Sequence, residues 1–206
     1  VSPRIAVLGC GSMSTVGLVG RHASAIDIVD IDEEVFAASR RHFQSYNRLE
    51  AFGNWTFHAD DAQHFLATTP ACYDLIVHDI PPARSRQIAL TYTREFLELA
   101  RARLKPGGIF SIACLSRPDG GGDYAPRLLA TLASVFERHF VLRRGGSLHF
   151  YGGGPDFSET SQSEALSLLP AERSAGVSFS SRAELARLYS GAEVVTVSNV
   201  GALVYD

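Results

Sequence analysis

Short apolar runs alternate with amphipathic stretches over the first half of the chain. Five of the apolar runs are bounded by Gly, Pro or polar residues, and each predicts a buried strand. The five predicted strands are residues 4–8, 25–30, 55–59, 73–78 and 108–114. The stretches between them, such as 33–45 and 93–104, carry apolar residues at helical spacing, so the pattern predicts βαβ units and a parallel sheet.

The pattern changes after the fifth strand. Residues 124–139 predict a helix, and the apolar runs 140–144 and 148–151 follow it on either side of Gly145-Gly146. A Gly-Gly pair between two such runs is typical of a tight hairpin turn. The sequence therefore predicts a doubly wound α/β fold with a seven-stranded sheet, mostly parallel with one antiparallel strand, and with helices on both faces.

The C-terminal quarter of the chain is less regular. Residues 152–181 are rich in Gly, Ser and Pro and predict a loosely packed segment with one short helix near residues 164–169. A helix at 182–189 and a strand-like run at 192–197 are predicted to close the chain. We expect residues 1–152 to form the main domain and residues 153–206 to be an extension packed on it.

Composition narrows the class of protein. At 206 residues, 46% of them hydrophobic, the chain is long enough for one buried core and short for two. The formal net charge of −3 gives no field that would attract nucleic acid or anionic lipid. No apolar run reaches membrane-spanning length, and the N-terminus does not resemble a signal peptide. A start at Val1 in place of Met predicts a fragment or a processed product.

The cysteines indicate the compartment. Cys10, Cys72 and Cys114 are odd in number, widely spaced and set among apolar residues. Such cysteines predict free thiols and not a disulfide framework. Free thiols favour a reducing, cytoplasmic location.

A glycine-rich loop, Gly9-Cys10-Gly11-Ser12-Met13, follows the first predicted strand. Such a loop lets the backbone approach a ligand closely with its amides directed outward. A glycine turn at this place also serves tight packing in many α/β proteins, so the loop alone does not decide the function.

Acidic residues follow the next three predicted strands. Asp30 lies about twenty residues after the glycine loop, where a carboxylate accepts hydrogen bonds from a ribose, and we assign Asp32 to capping the next helix. Asp61 follows the third strand and Asp79 follows the fourth. Because the carboxyl ends of parallel strands share one edge of the sheet, we expect these acids to converge on one ligand crevice.

Five segments in this order carry a resemblance to a known family. They are Ile5–Met13, Ile28–Asp32, Asp61–Leu66, Tyr73–Asp79 and Phe96–Gly108. In these segments the sequence resembles the spermidine synthase (polyamine aminopropyltransferase) family, within the class of S-adenosylmethionine-dependent methyltransferase folds. The resemblance implies a Rossmann-like fold, an aminopropyl transfer from decarboxylated S-adenosylmethionine to a small amine, no metal, and a homodimer.

The resemblance also implies roles for individual residues. Asp30 would hold the ribose, Asp61 and Ala62 would contact the adenine, and Asp79 would be the catalytic carboxylate facing the attacking amine. The further implied cofactor contacts are Gly9, Gly11, Ser12 and Ile31.

An acid at Asp79 suits amine chemistry. An alkyl amine has a pKa near 10, so freeing its lone pair at pH 7 costs roughly 4–5 kcal/mol. A fixed carboxylate accepts the hydrogen bond of the departing proton and aligns the nitrogen for attack.

The sequence departs from the family pattern around the substrate. Ser12 and Met13 replace an acid and a glycine of the loop, and we expect Met13 to crowd the ligand. Pro82 replaces a second acid of the amine site, a role that Asp119 or Asp123 could take over.

Two more features concern the substrate site and its cover. Tyr92 lies close to the presumed amine channel, where it serves either the substrate or packing. Members of the family carry a small N-terminal β-rich segment, whereas this chain starts directly at the first strand, so we expect either that the segment was removed or that this variant lacks it.

Other assignments remain open. The loop Asp79-Ile80-Pro81-Pro82 is similar to the acid-Pro-Pro loop of N-methyltransferases, which would use S-adenosylmethionine itself. A non-catalytic cofactor-binding relative is the third alternative. The histidines near strand ends do not have metal-ligand spacing, and Cys10 has no histidine partner specified by sequence.

Overall fold

The computed structural model describes residues 2–114, 124–144, 147–154, 159–168 and 174–203. The chain divides into two compact units. The first contains residues 1–81 and 98–110, and the second contains residues 82–97 and 111–206.

The first unit is built on parallel strands. The strands are β1 (Arg4–Leu8), β2 (Ala25–Asp30), β3 (Trp55–Ala59) and β4 (Tyr73–His78). They lie in the order β3-β2-β1-β4, and each neighbouring pair is parallel. Strand β5 (Leu104–Cys114) lies beside β4; it begins in the first unit and ends in the second.

The strand order places a topological switch point between β1 and β4. From β1 the chain builds outward on one side through β2 and β3, and then returns to the other side for β4. Connections that diverge in this way leave a crevice at the carboxyl ends of the two strands. Gly9 follows β1 and Asp79 follows β4, so both lie at this point.

Three helices follow the first three strands. They are α1 (Ser14–Val19), α2 (Glu33–Phe43) and α3 (Ala62–Thr68). Asp32 caps α2 as predicted, because its carboxylate accepts from the amides of Glu34 and Val35 at 2.9 and 3.3 Å. The core of this unit contains Ile5, Val7, Ile26 and Ile28 together with residues of the glycine loop and α1.

A buried charge cluster lies within the same sheet. Asp27 is 7% exposed and accepts from the side chains of Arg4 at 2.9 Å and Tyr73 at 3.0 Å. The His58 Nε2 lies 2.8 Å from its other oxygen. Burial acts to raise the pKa of Asp27, but the hydrogen bonds from Arg4, His58 and Tyr73 outweigh burial and lower it. The cluster joins β1, β2, β3 and β4.

The second unit combines helices with antiparallel strands. Its strands are β6 (His139–Arg144), β7 (Ser147–Gly153) and β8 (Val177–Phe179). Strand β6 pairs with β7 and with β8, both antiparallel. The helices are α4 (Arg86–Ala89), α6 (Tyr124–Val135), α7 (Glu159–Ser167) and α8 (Arg182–Tyr189), while α5 (Arg94–Ala102) runs from this unit into the first.

Two sequence predictions are corrected here. The described residues form eight strands and not seven, because Val177–Phe179 pairs with β6 inside the segment predicted to be loosely packed. Residues 192–197 form no strand. Val195 is instead buried, with its amide bonded to the Thr131 hydroxyl at 2.9 Å and its carbonyl accepting from the Arg94 amide at 2.8 Å.

Within the described ranges, no helix is long and apolar enough to cross a membrane.

Candidate active site

The glycine loop, residues 9–13, is shaped by two glycines with positive φ. Gly9 has φ 95°, and a Cβ there would lie 2.8 Å from the carbonyl oxygen of Asp79. Gly11 has φ 43°, and a Cβ there would have no atom within 4 Å. Gly9 is therefore needed for the approach of β1 and β4, whereas the open space beside Gly11 leaves room for a ligand.

Side chains from α2 and the turn after it hold the carbonyls of the loop. The Ser39 hydroxyl, 4% exposed, donates to the Gly11 carbonyl. The Asn47 amide donates to the Ser12 carbonyl at 2.6 Å. The loop is thus held by its own chain, and no sequence pattern pointed to Ser39 or Asn47.

Met13 lies inside the core and not in the ligand crevice. Its side chain is fully buried with Val7, Cys10 and Val16, although its backbone is left-handed at φ 60°. The expectation that Met13 would crowd the ligand is therefore wrong. The left-handed backbone is the conformation that glycine adopts most easily, while the side chain at this position contributes to the core.

Asp30 links the end of β2 to the glycine loop. Its Oδ2 accepts from the Cys10 amide at 2.7 Å, and its Oδ1 accepts from the Asp32 amide at 3.0 Å. Both oxygens of this carboxylate therefore hold backbone amides. A carboxylate oxygen has a second lone-pair site, so Asp30 retains the capacity to accept from a ribose.

Asp61 and Ala62 lie at the start of α3. Asp61 caps this helix by accepting from the amides of Gln63 and His64 at 2.9 and 3.1 Å, and Ala62 is buried. The Asp60 amide donates to the Asp30 carbonyl at 3.1 Å, which places this segment beside the end of β2. Ile31 is 64% exposed, an unusual position for an isoleucine and one that suits contact with an apolar ring.

Asp79 is held by residues on either side of the glycine loop. Its amide donates to the Leu8 carbonyl at 2.8 Å, and its Oδ2 accepts from the Thr15 hydroxyl at 2.6 Å. Its side chain is solvent-accessible, yet protein atoms surround it closely enough that desolvation raises its pKa, against the hydrogen bond from Thr15, which lowers it. Thr15 is a residue that the sequence analysis missed, since 64 positions separate it from Asp79.

Of the predicted substrate residues, the structure describes Tyr92, which lies in the second unit. Tyr92 is 1% exposed, and its ring lies 6.0 Å from that of Tyr124, as expected for packing. Asp119 and Asp123 lie outside the described residues.

The remaining candidates have structural partners. His58 pairs with Asp27 and His64 pairs with Asp60, each at 2.8 Å. Burial and a hydrogen bond to Asp30 raise the pKa of Cys10 to about 12, which makes this thiol a poor nucleophile at neutral pH. Over the part of the chain that the structure describes, no group of three His, Cys, Asp or Glu side chains could hold a metal ion.

The strand order, the glycine loop and the acids at strand ends define a Rossmann-like α/β protein. Solved structures with the same fold include a probable spermidine synthase from Corynebacterium glutamicum, which has a TM-score of 0.72 at 22% identity and covers 94% of this chain and 71% of its own. Human methyltransferase-like protein 13 in complex with SAH has a TM-score of 0.60 at 19% identity and covers 93% of this chain and 82% of its own.

A family model, the spermine/spermidine synthase domain, matches residues 2–118, more than half of the chain. The protein therefore belongs to the spermine/spermidine synthase family, as the resemblance implied.

Curated relatives agree with this family. Polyamine aminopropyltransferase 2 of Pseudomonas aeruginosa is 30% identical over 138 residues, which are 65% of this chain and 40% of the relative. Polyamine aminopropyltransferase of Synechococcus sp. is 32% identical over 145 residues, which are 65% of this chain and 44% of the relative. The chain spans less than half the length of these relatives.

Proposed function

We propose that this protein transfers an aminopropyl group from decarboxylated S-adenosylmethionine to a small amine, with Asp79 as the catalytic base. The observation that carries the proposal is the accessible carboxylate of Asp79, fixed beside the glycine loop at the switch point of the sheet. Its family relatives are named aminopropyltransferases.

The first unit offers a fitting surface for the adenosyl sulfonium. Gly11 has open space beside it, and Asp30 retains accepting capacity. We assign the ribose to Asp30, the adenine to Ile31, Asp61 and Ala62, and the remaining contacts to the glycine loop through Gly9, Gly11 and Ser12.

For this reaction the protein has to orient the amine and accept its proton. When bound, the sulfonium supplies a carbon whose bond to sulfur breaks as the amine nitrogen bonds to it, and the electron pair stays on sulfur. Asp79 attracts the amine, orients its lone pair and accepts the proton that the nitrogen releases. No metal is needed for these steps, since the leaving group is already activated by its charge.

The proposal also includes the amine site, the domain bounds, the cellular location and the oligomeric state. We assign a further amine-binding acid to Asp119 or Asp123, a catalytic domain to residues 1–152, and an extension to residues 153–206. We further propose a cytoplasmic protein that acts as a homodimer and binds no nucleic acid or membrane.

One observation favours a second candidate, an S-adenosylmethionine-dependent N-methyltransferase. Ser12 replaces the acid of the family loop, and its hydroxyl bonds that of Ser14 at 2.8 Å. A loop without this acid has no carboxylate for the amine end of the decarboxylated cofactor. S-adenosylmethionine, which keeps its carboxylate, therefore fits such a loop as well.

The test combines binding and turnover on the full chain. The melting temperature is measured with decarboxylated S-adenosylmethionine, S-adenosylmethionine and adenosine, since a selective ligand stabilises the folded state. Each sulfonium is then incubated with diamines and amino acids, and products are identified by mass. Aminopropylated amine and methylthioadenosine support the proposal, methylated amine supports the second candidate, and stabilisation without turnover indicates a binding protein.

A further inference from the structure

We propose that Thr15 is a positioning residue for Asp79: its hydroxyl occupies Oδ2 and so leaves Oδ1 as the oxygen that takes the proton of the amine. This inference rests on the proposed function, because it concerns the same carboxylate.

The contact has the geometry of a strong hydrogen bond. The Thr15 Oγ1 lies 2.6 Å from Oδ2 of Asp79, within the range of a hydroxyl that donates to an ionised carboxylate. Oδ1 accepts no hydrogen bond from any residue that the structure describes. The two oxygens of Asp79 are therefore unequal before a substrate arrives.

The position of Thr15 is fixed by the packing of α1. The next residue, Val16, is fully buried. Gly17 lies so close to Asn47 that an added Cβ would be 2.7 Å from its carbonyl oxygen. Helix α1 is thus held by the two residues that directly follow Thr15.

The main chain of Asp79 is held by Leu8 and Gly9, a few residues before Thr15. Its amide bonds the Leu8 carbonyl, and its own carbonyl group lies against Gly9. Backbone and side chain are therefore both held by residues 8–15. Asp79 is thus restrained at two main-chain points and at one carboxylate oxygen, which favours the single orientation that a base needs to meet a proton at a defined oxygen.

The hydroxyl also favours the ionised form of the base. Burial raises the pKa of Asp79, and the Thr15 hydrogen bond opposes that rise. When the amine nitrogen bonds to carbon, its proton moves to Oδ1 and neutralises the carboxylate. Oδ2 then becomes the carbonyl oxygen of the acid and continues to accept from Thr15, so the step needs no rearrangement.

Three variants test the role. Thr15→Val removes the hydroxyl and keeps the shape, Thr15→Ser restores the hydroxyl, and Thr68→Val is the matched control, since Thr68 is an exposed threonine that bonds a helix carbonyl. We expect Thr15→Val to lower kcat about tenfold, the value of one hydrogen bond to a charged group. In the pH dependence of kcat, the acidic limb of Thr15→Val should move to higher pH. The KM for the sulfonium should stay unchanged. Thr15→Ser should recover most of the rate.

The results that contradict the proposal are equally defined. Equal losses in Thr15→Val and Thr15→Ser would assign the residue to packing. If the pH dependence of kcat stays unchanged in Thr15→Val, as it should in Thr68→Val, Thr15 has no influence on the Asp79 carboxylate.

A second readout separates this inference from the proposed function. The titration of the Asp79 carboxyl is followed by carbon NMR in wild type and Thr15→Val, with Asp79→Asn to assign the signal. A higher pKa in Thr15→Val supports the positioning role even if no aminopropyl transfer is found. An unchanged pKa overturns it even if the transfer is confirmed.

Discussion

The α-carbon of Gly9 lies against the main chain of Asp79, so closely that a Cβ at Gly9 would be 2.8 Å from the Asp79 carbonyl oxygen. Gly9 also has φ 95°, a conformation that L side chains rarely adopt. The glycine loop and Asp79 are therefore in direct contact, so a change in one is expected to displace the other.

Gly9→Ala should damage folding more than Gly11→Ala. Both substitutions strain a positive φ, but only the first drives a methyl group into Asp79, whereas Gly11 has open space. We expect Gly9→Ala to lower the melting temperature clearly. Gly11→Ala should lower sulfonium affinity in calorimetry with a smaller loss of stability, and the reverse ranking would contradict the assignment of open space to the ligand.

Met13→Gly should destabilise the protein despite relieving strain. A left-handed conformation costs a non-glycine residue about 1–2 kcal/mol, whereas removing a fully buried methionine side chain costs about 2–5 kcal/mol. Burial is the larger effect. Urea unfolding measures the difference, and Arg48→Gly is the matched control, because Arg48 has φ 53° with an exposed side chain and should gain stability.

Asp79→Asn should lose activity without losing stability. We expect kcat to fall by about 100-fold or more, the contribution of a general base. Ionised Asp79 is the active form, and burial raises its pKa above the ordinary value, so activity should fall as the pH drops through this raised pKa.

The raised pKa of Asp79 also determines how this residue affects stability as the pH changes. An acid with a raised pKa in the folded state holds its proton more tightly there, so stability declines as pH rises above the unfolded pKa. Asp79→Asn should therefore melt at pH 7 no lower than wild type. A large fall in melting temperature would show that the charge supports the fold.

Asp27→Asn should reduce stability most at neutral pH. The ionised carboxylate receives hydrogen bonds from Arg4 and Tyr73 and lies against His58, and its pKa is lowered by these partners despite burial. This stabilisation is present above the unfolded pKa and is lost as pH falls through the lowered folded pKa. We expect a loss of about 2–3 kcal/mol in the free energy of unfolding at pH 7.

The control for Asp27 is Asp74→Asn. Asp74 pairs with Lys105 at 2.7 Å, but both side chains are more than 40% exposed, so the loss should stay below about 1 kcal/mol. Equal losses in both variants, or a loss at Asp27 that does not change with pH, would contradict the role of the cluster.

Local patterns were sufficient for most of the first unit. The bounds of β1 to β4 are those predicted, because each strand is a buried run between turn residues. The acids at strand ends followed from these bounds. The contacts of Ser39 with the glycine loop and of Thr15 with Asp79 could not be predicted, because tertiary packing brings these residues together.

The second unit was harder to predict for a physical reason. Val177–Phe179 is a three-residue strand that pairs with β6. Val195 is buried and its amide bonds Thr131 of α6, although its sequence has strand character. In both segments the partner, and not the local sequence, decides the conformation.

The tethering of the glycine loop by Ser39 and Asn47 has a consequence for how a ligand arrives. A segment that its own neighbours already immobilise gives up little disorder on complex formation, so more of the intrinsic attraction appears as affinity. Substitutions meant to change what this loop binds should therefore leave Ser39 and Asn47 in place and alter residues that face the solvent.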